Sequence, residues 1–144
     1  TLRGAQIRMA PPADAVGLVH VPVWMWTPVT SQTWGPISAT ASVPGLSVTA
    51  TATATKIVWS MGDGHTVTCT GAGTPYRAAL GAARSPTCGH VYEHSSAGAP
   101  GGRFQVVATT TWRITWSGGG QNGALTTTRT SSTAVRIGEL QVVT

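Results

Sequence analysis

Carboxylates are scarce in this chain of 144 residues: Asp14, Asp63, Glu93 and Glu139 are all it has. Glycosidase-type chemistry needs two carboxyl groups about 5–10 Å apart, and no local spacing here offers such a pair. Lysine is rarer still. Lys56 stands alone, so the formal net charge of +5 rests almost wholly on arginine. Charged residues make up 9% of the chain, against about 25% in an average soluble domain. The arginines, at positions 3, 8, 77, 84, 103, 113, 129 and 136, are scattered rather than striped, which argues against nucleic acid as a partner. Attraction to an anionic wall polysaccharide or cell surface is a better use of this charge.

Long apolar runs are missing too. The longest, Val16 to Trp26, covers 11 residues and contains His20 and Pro22, whereas a membrane-spanning helix needs about 20. No secretion leader is visible, but the chain opens at Thr1 rather than Met. The expectation is an exported, extracellular or cell-surface protein whose signal has already been removed. Cys69 and Cys88 are the only cysteines. An even pair without a metal-type Cys-x-x-Cys, flanking a Gly/Pro/Ala-rich loop, favours a disulfide and an oxidising compartment. The alternative is two separately buried thiols.

What is abundant is Thr, Ala, Gly and Val, a mixture that fits pleated strands and tight turns better than helices. Six tryptophans and 41% hydrophobic residues exclude a chain too polar to collapse. From Leu46 the text alternates strictly, with Leu46, Val48, Ala50, Ala52 and Ala54 on one parity and Ser47 and Thr49 to Thr55 on the other. A period of two marks a half-buried strand. It runs on into Ile57-Val58-Trp59, too long for one ordinary strand, so a bend or bulge is expected near Thr53–Lys56. Thr66 to Thr70 reads as a further short strand and residues 71–89 as a loop. Arg103 to Trp116, the glycine-rich turn from Gly118 to Gly123, and Ala124 to Val143 read as a long hairpin. The fold class expected is an all-β antiparallel sandwich.

Residues 1–36 differ from the sandwich expected over 37–144. No Asp, Glu, Lys or Arg occurs from residue 15 to residue 55, and this stretch carries Trp24, Trp26 and Trp34. Two readings stand for this extended segment. The tryptophans cover one side of the chain's own sandwich, or they dock onto a neighbouring subunit, because Trp is enriched at binding hot spots.

Three blocks carry a family resemblance: Trp59-Ser60-Met61-Gly62-Asp63-Gly64, His90-Val91-Tyr92 and Gly102-Arg103-Phe104-Gln105-Val106. In this order they resemble the polycystic-kidney-disease (PKD) domain, with its Trp-Asp-Phe-Gly-Asp-Gly turn, His-x-Tyr and Gly-x-Tyr-x-Val strand. The resemblance covers about Leu46 to Trp116. It implies an immunoglobulin-like sandwich, non-catalytic, in a secreted or surface protein that binds proteins or polysaccharides. Some members bind calcium near this turn, but here Ser60 replaces the first Asp and Met61 the Phe. On physical grounds Trp59, Gly62, Asp63, Gly64, His90 and Tyr92 are read first as fold determinants.

Catalysis finds little support in these residues. A Ser/His/Asp triad can be written from Asp63, His65 or His90 and many serines, but no Gly-x-Ser-x-Gly elbow accompanies it. His65, His90 and His94, with Asp63 and Glu93 nearby, are the candidates for a metal-dependent hydrolase. His90 and His94 would lie about 13 Å apart on an extended strand, so a core or turn histidine plus two exposed ones is the favoured reading. The expectation is no metal, no cofactor and no enzyme. It is instead a β-sandwich module for attachment to protein or polysaccharide. The alternative is a structural subunit of a filament or surface layer that self-associates through its N-terminal segment.

Overall fold

The computed structural model describes residues 2–140, so the expected end of the last strand at Val143 lies outside the described residues. Nine strands form among the described residues, in chain order: β1 (Arg8–Ala10), β2 (Val16–Leu18), β3 (Val23–Trp26), β4 (Ile37–Val43), β5 (Leu46–Ser60), β6 (Thr66–Cys69), β7 (Gly89–His90), β8 (Phe104–Gly118) and β9 (Gln121–Gly138). They make two sheets. The smaller has the order β1-β3-β7, and the larger runs β2-β9-β8-β5-β4, with β6 also on β5. The all-β sandwich expected from the period-two pattern is thus the observed architecture.

The two halves of β5 have different edge partners. Residues 46–52 pair with β4, whereas residues 57–60 pair with β6. Between them the register with β8 slips, from Ala54 opposite Trp112 to Lys56 opposite Thr111, which leaves Thr55 as the extra residue of a bulge. That bulge falls where the sequence pattern demanded one. Inward positions are even-numbered up to Ala54 and odd-numbered from Ile57, and one unpaired residue reconciles the two. Ala52, Ala54, Ile57 and Trp59 therefore all face the same side and are buried.

The main core fills the space between the sheets. Ile57, Trp59, Phe104, Val106, Ala108, Val135 and Ile137 of the large sheet meet Met9, Val23 and Met25 of the small one, with Met61 and Tyr92 at one end. A second cluster of Ala52, Ala54 and Trp112 lies further along the same face, covered by Leu2, Trp34, Ile37 and Ile114. Trp112 Nε1 donates to the Arg3 carbonyl at 3.2 Å, so the N-terminal strip is tied down over it.

Residues 8–26 are accordingly an integral part of the sandwich. They supply two strands of the small sheet, and β2 pairs in parallel with β9 of the large one. Beyond the second cluster the large sheet continues as a four-stranded arm, built from β4, the start of β5, the end of β8 and the start of β9. The β8–β9 turn is Gly119-Gly120, with φ of +59° and +76°. Two successive positive φ values make the tight hairpin turn whose twist matches that of the strands, and glycine adopts them without strain.

Candidate functional site

The turn after β5 brings the motif residues together. Met61 N–H donates to the His65 carbonyl, and His65 N–H donates to Asp63 Oδ1 at 3.0 Å, closing an Asx-type turn. Gly62 has φ +82°, and a Cβ there would come within 2.7 Å of the Gln105 backbone. Only glycine lets the turn lie this close to β8. The second carboxylate oxygen, Asp63 Oδ2, is 2.7 Å from His90 Nε2 and 3.4 Å from His65 Nδ1. A carboxylate only accepts, so with Asp63 ionised the 2.7 Å contact is a hydrogen bond donated by His90 Nε2.

The Asp63 and His90 side chains are only 10% and 11% exposed, whereas that of His65 is 65% exposed. Burial by itself would raise the Asp63 carboxyl. The hydrogen bonds from His90 and from the His65 backbone, with the charge of both imidazoles, outweigh it and hold the group below its ordinary value. The His90 ring stands edge-on to Tyr92 at 4.8 Å, and Tyr92 stacks on Phe104 at 5.0 Å. Tyr92 Oη donates to the Met61 carbonyl at 2.8 Å, closing the turn from behind. Burial first, and the Asp63 charge second, push the Tyr92 phenol well above its ordinary range.

Of the histidines and acids singled out in the sequence, Asp63, His65 and His90 converge. Their ligand atoms all lie within 4.8 Å of one another, and His94 and Glu93 are not among them. The trio written as His65, His90 and His94 is corrected in this respect: the turn, rather than the segment after β7, supplies the third group. Calcium does not fit the same turn. With Ser60 and Met61 in place, Asp63 is the one carboxylate of the hexapeptide, and calcium takes six to eight oxygens.

Cys69 and Cys88 form the disulfide. It joins β6 of the large sheet to the residue preceding β7 of the small one. The loop it closes wraps over the outer side of the small sheet. There Trp24, 2% exposed, donates from Nε1 to the Ala83 carbonyl at 2.8 Å and packs edge-on against Tyr76. Trp34 packs against both hydrophobic clusters. Trp26 is half-buried beside Met9, Pro12, Pro22 and Tyr76. The three tryptophans thus lie on their own sandwich, the first of the two readings the sequence left open for this segment.

Sequence reasoning missed the arm. Ile37, Ala39, Ala41 and Val43 align with Ala52, Ala50, Val48 and Leu46, and this apolar face continues across to Trp116 and Leu125. Val43, Leu46 and Leu125 remain 62%, 45% and 51% exposed. The opposite face carries hydroxyls that bond across the β4–β5 pair: Ser38 to Thr51 at 2.9 Å, Thr40 to Thr49 at 3.0 Å and Ser42 to Ser47 at 3.1 Å. The signal was present in Pro44-Gly45, a strong turn dipeptide between two alternating runs. No protein-family model, curated protein or solved structure matches this chain.

Proposed function

We propose that this chain is a non-catalytic, PKD-like immunoglobulin-type module of a secreted or cell-surface protein, and that it attaches to a protein partner through its four-stranded arm. The bare apolar face of the arm carries this reading. Strand spacing and rise put that face at roughly 400 Å², within the roughly 300–600 Å² of the largest apolar patch on a monomer, a patch that is often functional. No charged side chain stands among Ala39, Ala41, Val43, Leu46, Val48, Ala50, Trp116 and Leu125, so a partner meets no desolvation penalty for ions there. The inter-sheet disulfide suits an oxidising compartment. The blocks Trp59 to Gly64, His90 to Tyr92 and Gly102 to Val106, which carry the PKD resemblance, support this reading.

The test is photocrosslinking with benzoylphenylalanine placed at position 125 on the apolar face, or at 126 on the hydroxyl face as control. Both are run on the purified chain and on the exporting cells. Adducts of discrete mass from 125 but not from 126 support attachment through the arm. An adduct of twice the chain's own mass in the purified sample converts the module into a self-assembling structural subunit with the arm as connector. Failure of position 125 to crosslink in either setting overturns the arm as the contact surface.

A further inference from the structure

We propose that Asp63, His65 and His90 form a binding site for a divalent transition-metal ion of the zinc class, with three protein ligands and one coordination position open to solvent. This rests on the turn geometry and is independent of what the arm binds. Zinc bonds of about 2.0–2.1 Å to imidazole nitrogen and carboxylate oxygen, at tetrahedral angles, separate the ligand atoms by about 3.3 Å. Asp63 Oδ2 already stands 3.4 Å from His65 Nδ1 and 2.7 Å from His90 Nε2. An ion at the centre needs the second separation to open by about half an ångström, and the His65 ring to close toward His90, from which its ligand atom lies within 4.8 Å. It then takes the place of the proton that His90 and Asp63 share.

The three ligands differ in freedom, in a way that suits loading from solvent. Asp63 is oriented by the turn, because its Oδ1 is engaged by the His65 backbone N–H and only Oδ2 faces the two rings. The His90 ring is held by its edge-on contact with Tyr92. Such fixing of ligand orientation by outer contacts supports metal affinity. The third ligand, His65, is mostly exposed, so its ring can swing onto the ion at little cost. Two imidazoles and one carboxylate suit zinc, nickel, copper or iron(II), whereas magnesium and calcium favour all-oxygen sites.

The experiment is calorimetric titration of the full chain with ZnCl2 at neutral pH, repeated with CoCl2 to read the ligand-field absorption of the bound ion. His65→Ala is the decisive variant, because the lost ring is exposed and the fold does not rest on it. Its melting temperature in chelator should match that of the parent. The parent should bind one equivalent of zinc, and His65→Ala should bind at least about 100-fold more weakly, beyond what loss of an outer-shell partner costs. His94→Ala should bind as the parent does. The assignment is overturned if the parent binds no zinc, if His65→Ala binds as tightly as the parent, or if His94→Ala loses the ion instead. In each of those cases Asp63 and His90 are a hydrogen-bonded structural pair.

Discussion

Opening the Cys69–Cys88 bridge is the perturbation whose size the structure fixes best. The sequence separation is 19 residues, and in the chain-entropy model a loop of that length restrains the unfolded chain by about 3 kcal/mol at 25 °C. Spread over 144 residues with an unfolding entropy near 2.1 cal/mol/K per residue, this lowers the melting temperature by about 10 °C. Both cysteines are 3% exposed and sit in the main core. Cys69→Ala with Cys88→Ala therefore also removes buried sulfur contacts, on the order of 1 kcal/mol for each site. Comparing three states separates the two effects: the oxidised parent, the reduced parent, which keeps the sulfur volume, and the double alanine variant. Urea unfolding and calorimetry should place the reduced parent about 3 kcal/mol below the oxidised one, with the alanine variant lower still. Amide exchange over residues 70–87 should rise on reduction, because the loop covering Trp24 loses its anchor. A loss below about 1 kcal/mol on reduction would refute the reasoning. Residues 70–87 would then be held by contacts such as Trp24 with Tyr76 and Ala83, and the bridge would add little.

Three further outcomes are expected. Thr110 is fully buried and its hydroxyl has no partner among the described residues, so Thr110→Val, which keeps the shape and removes the unpaired group, should stabilise by about 1 kcal/mol in urea unfolding. Deleting Thr55 should leave a folded protein, because Ala54 and Ile57 stay on the inward parity and the ladder with β8 becomes regular. Deleting Thr55 and Lys56 together flips Ile57 and Trp59 outward and should abolish the cooperative thermal transition. The Asp63 carboxyl lies below its ordinary value of 3.8 in the folded chain, so its stabilisation is present in full above that pH and is lost as pH falls through the depressed folded value. In melting curves taken across pH, the advantage of the parent over Asp63→Asn should hold at neutral pH and shrink only below about 4; an advantage that vanished already at pH 6 would contradict it.

The strands were legible where a single strand states its own pattern. The Thr/Ala alternation from Leu46 announced β5, and its excessive length announced a bulge near Thr53–Lys56, which the change of parity between Ala54 and Ile57 accommodates. The Gly119-Gly120 turn announced the β8–β9 hairpin. The candidate site was legible only in part. Asp63, His90 and Tyr92 stood out through the turn and the His-x-Tyr spacing, yet nothing in the spacing preferred His65 over His94. Distance along the chain is a poor guide there: residue 90 reaches the turn through the pairing of β7 with β3, and its last approach is fixed by the disulfide.

By itself the sequence determined the all-β fold class, the alternation along β5 and β8, and the turns at Gly62 to Gly64 and Gly118 to Gly123. These follow from φ/ψ preferences and side-chain alternation, which are properties of neighbouring residues. Tertiary structure decided which face is covered and by what. The tryptophans of residues 24–34 fold onto their own sandwich because β1 and β3 form the second sheet. The arm stays bare because the N-terminal strip ends its cover at Trp112 and Ile37. Asp63, His65 and His90 meet because two sheets pack, and packing between segments distant along the chain leaves no periodic mark in either of them.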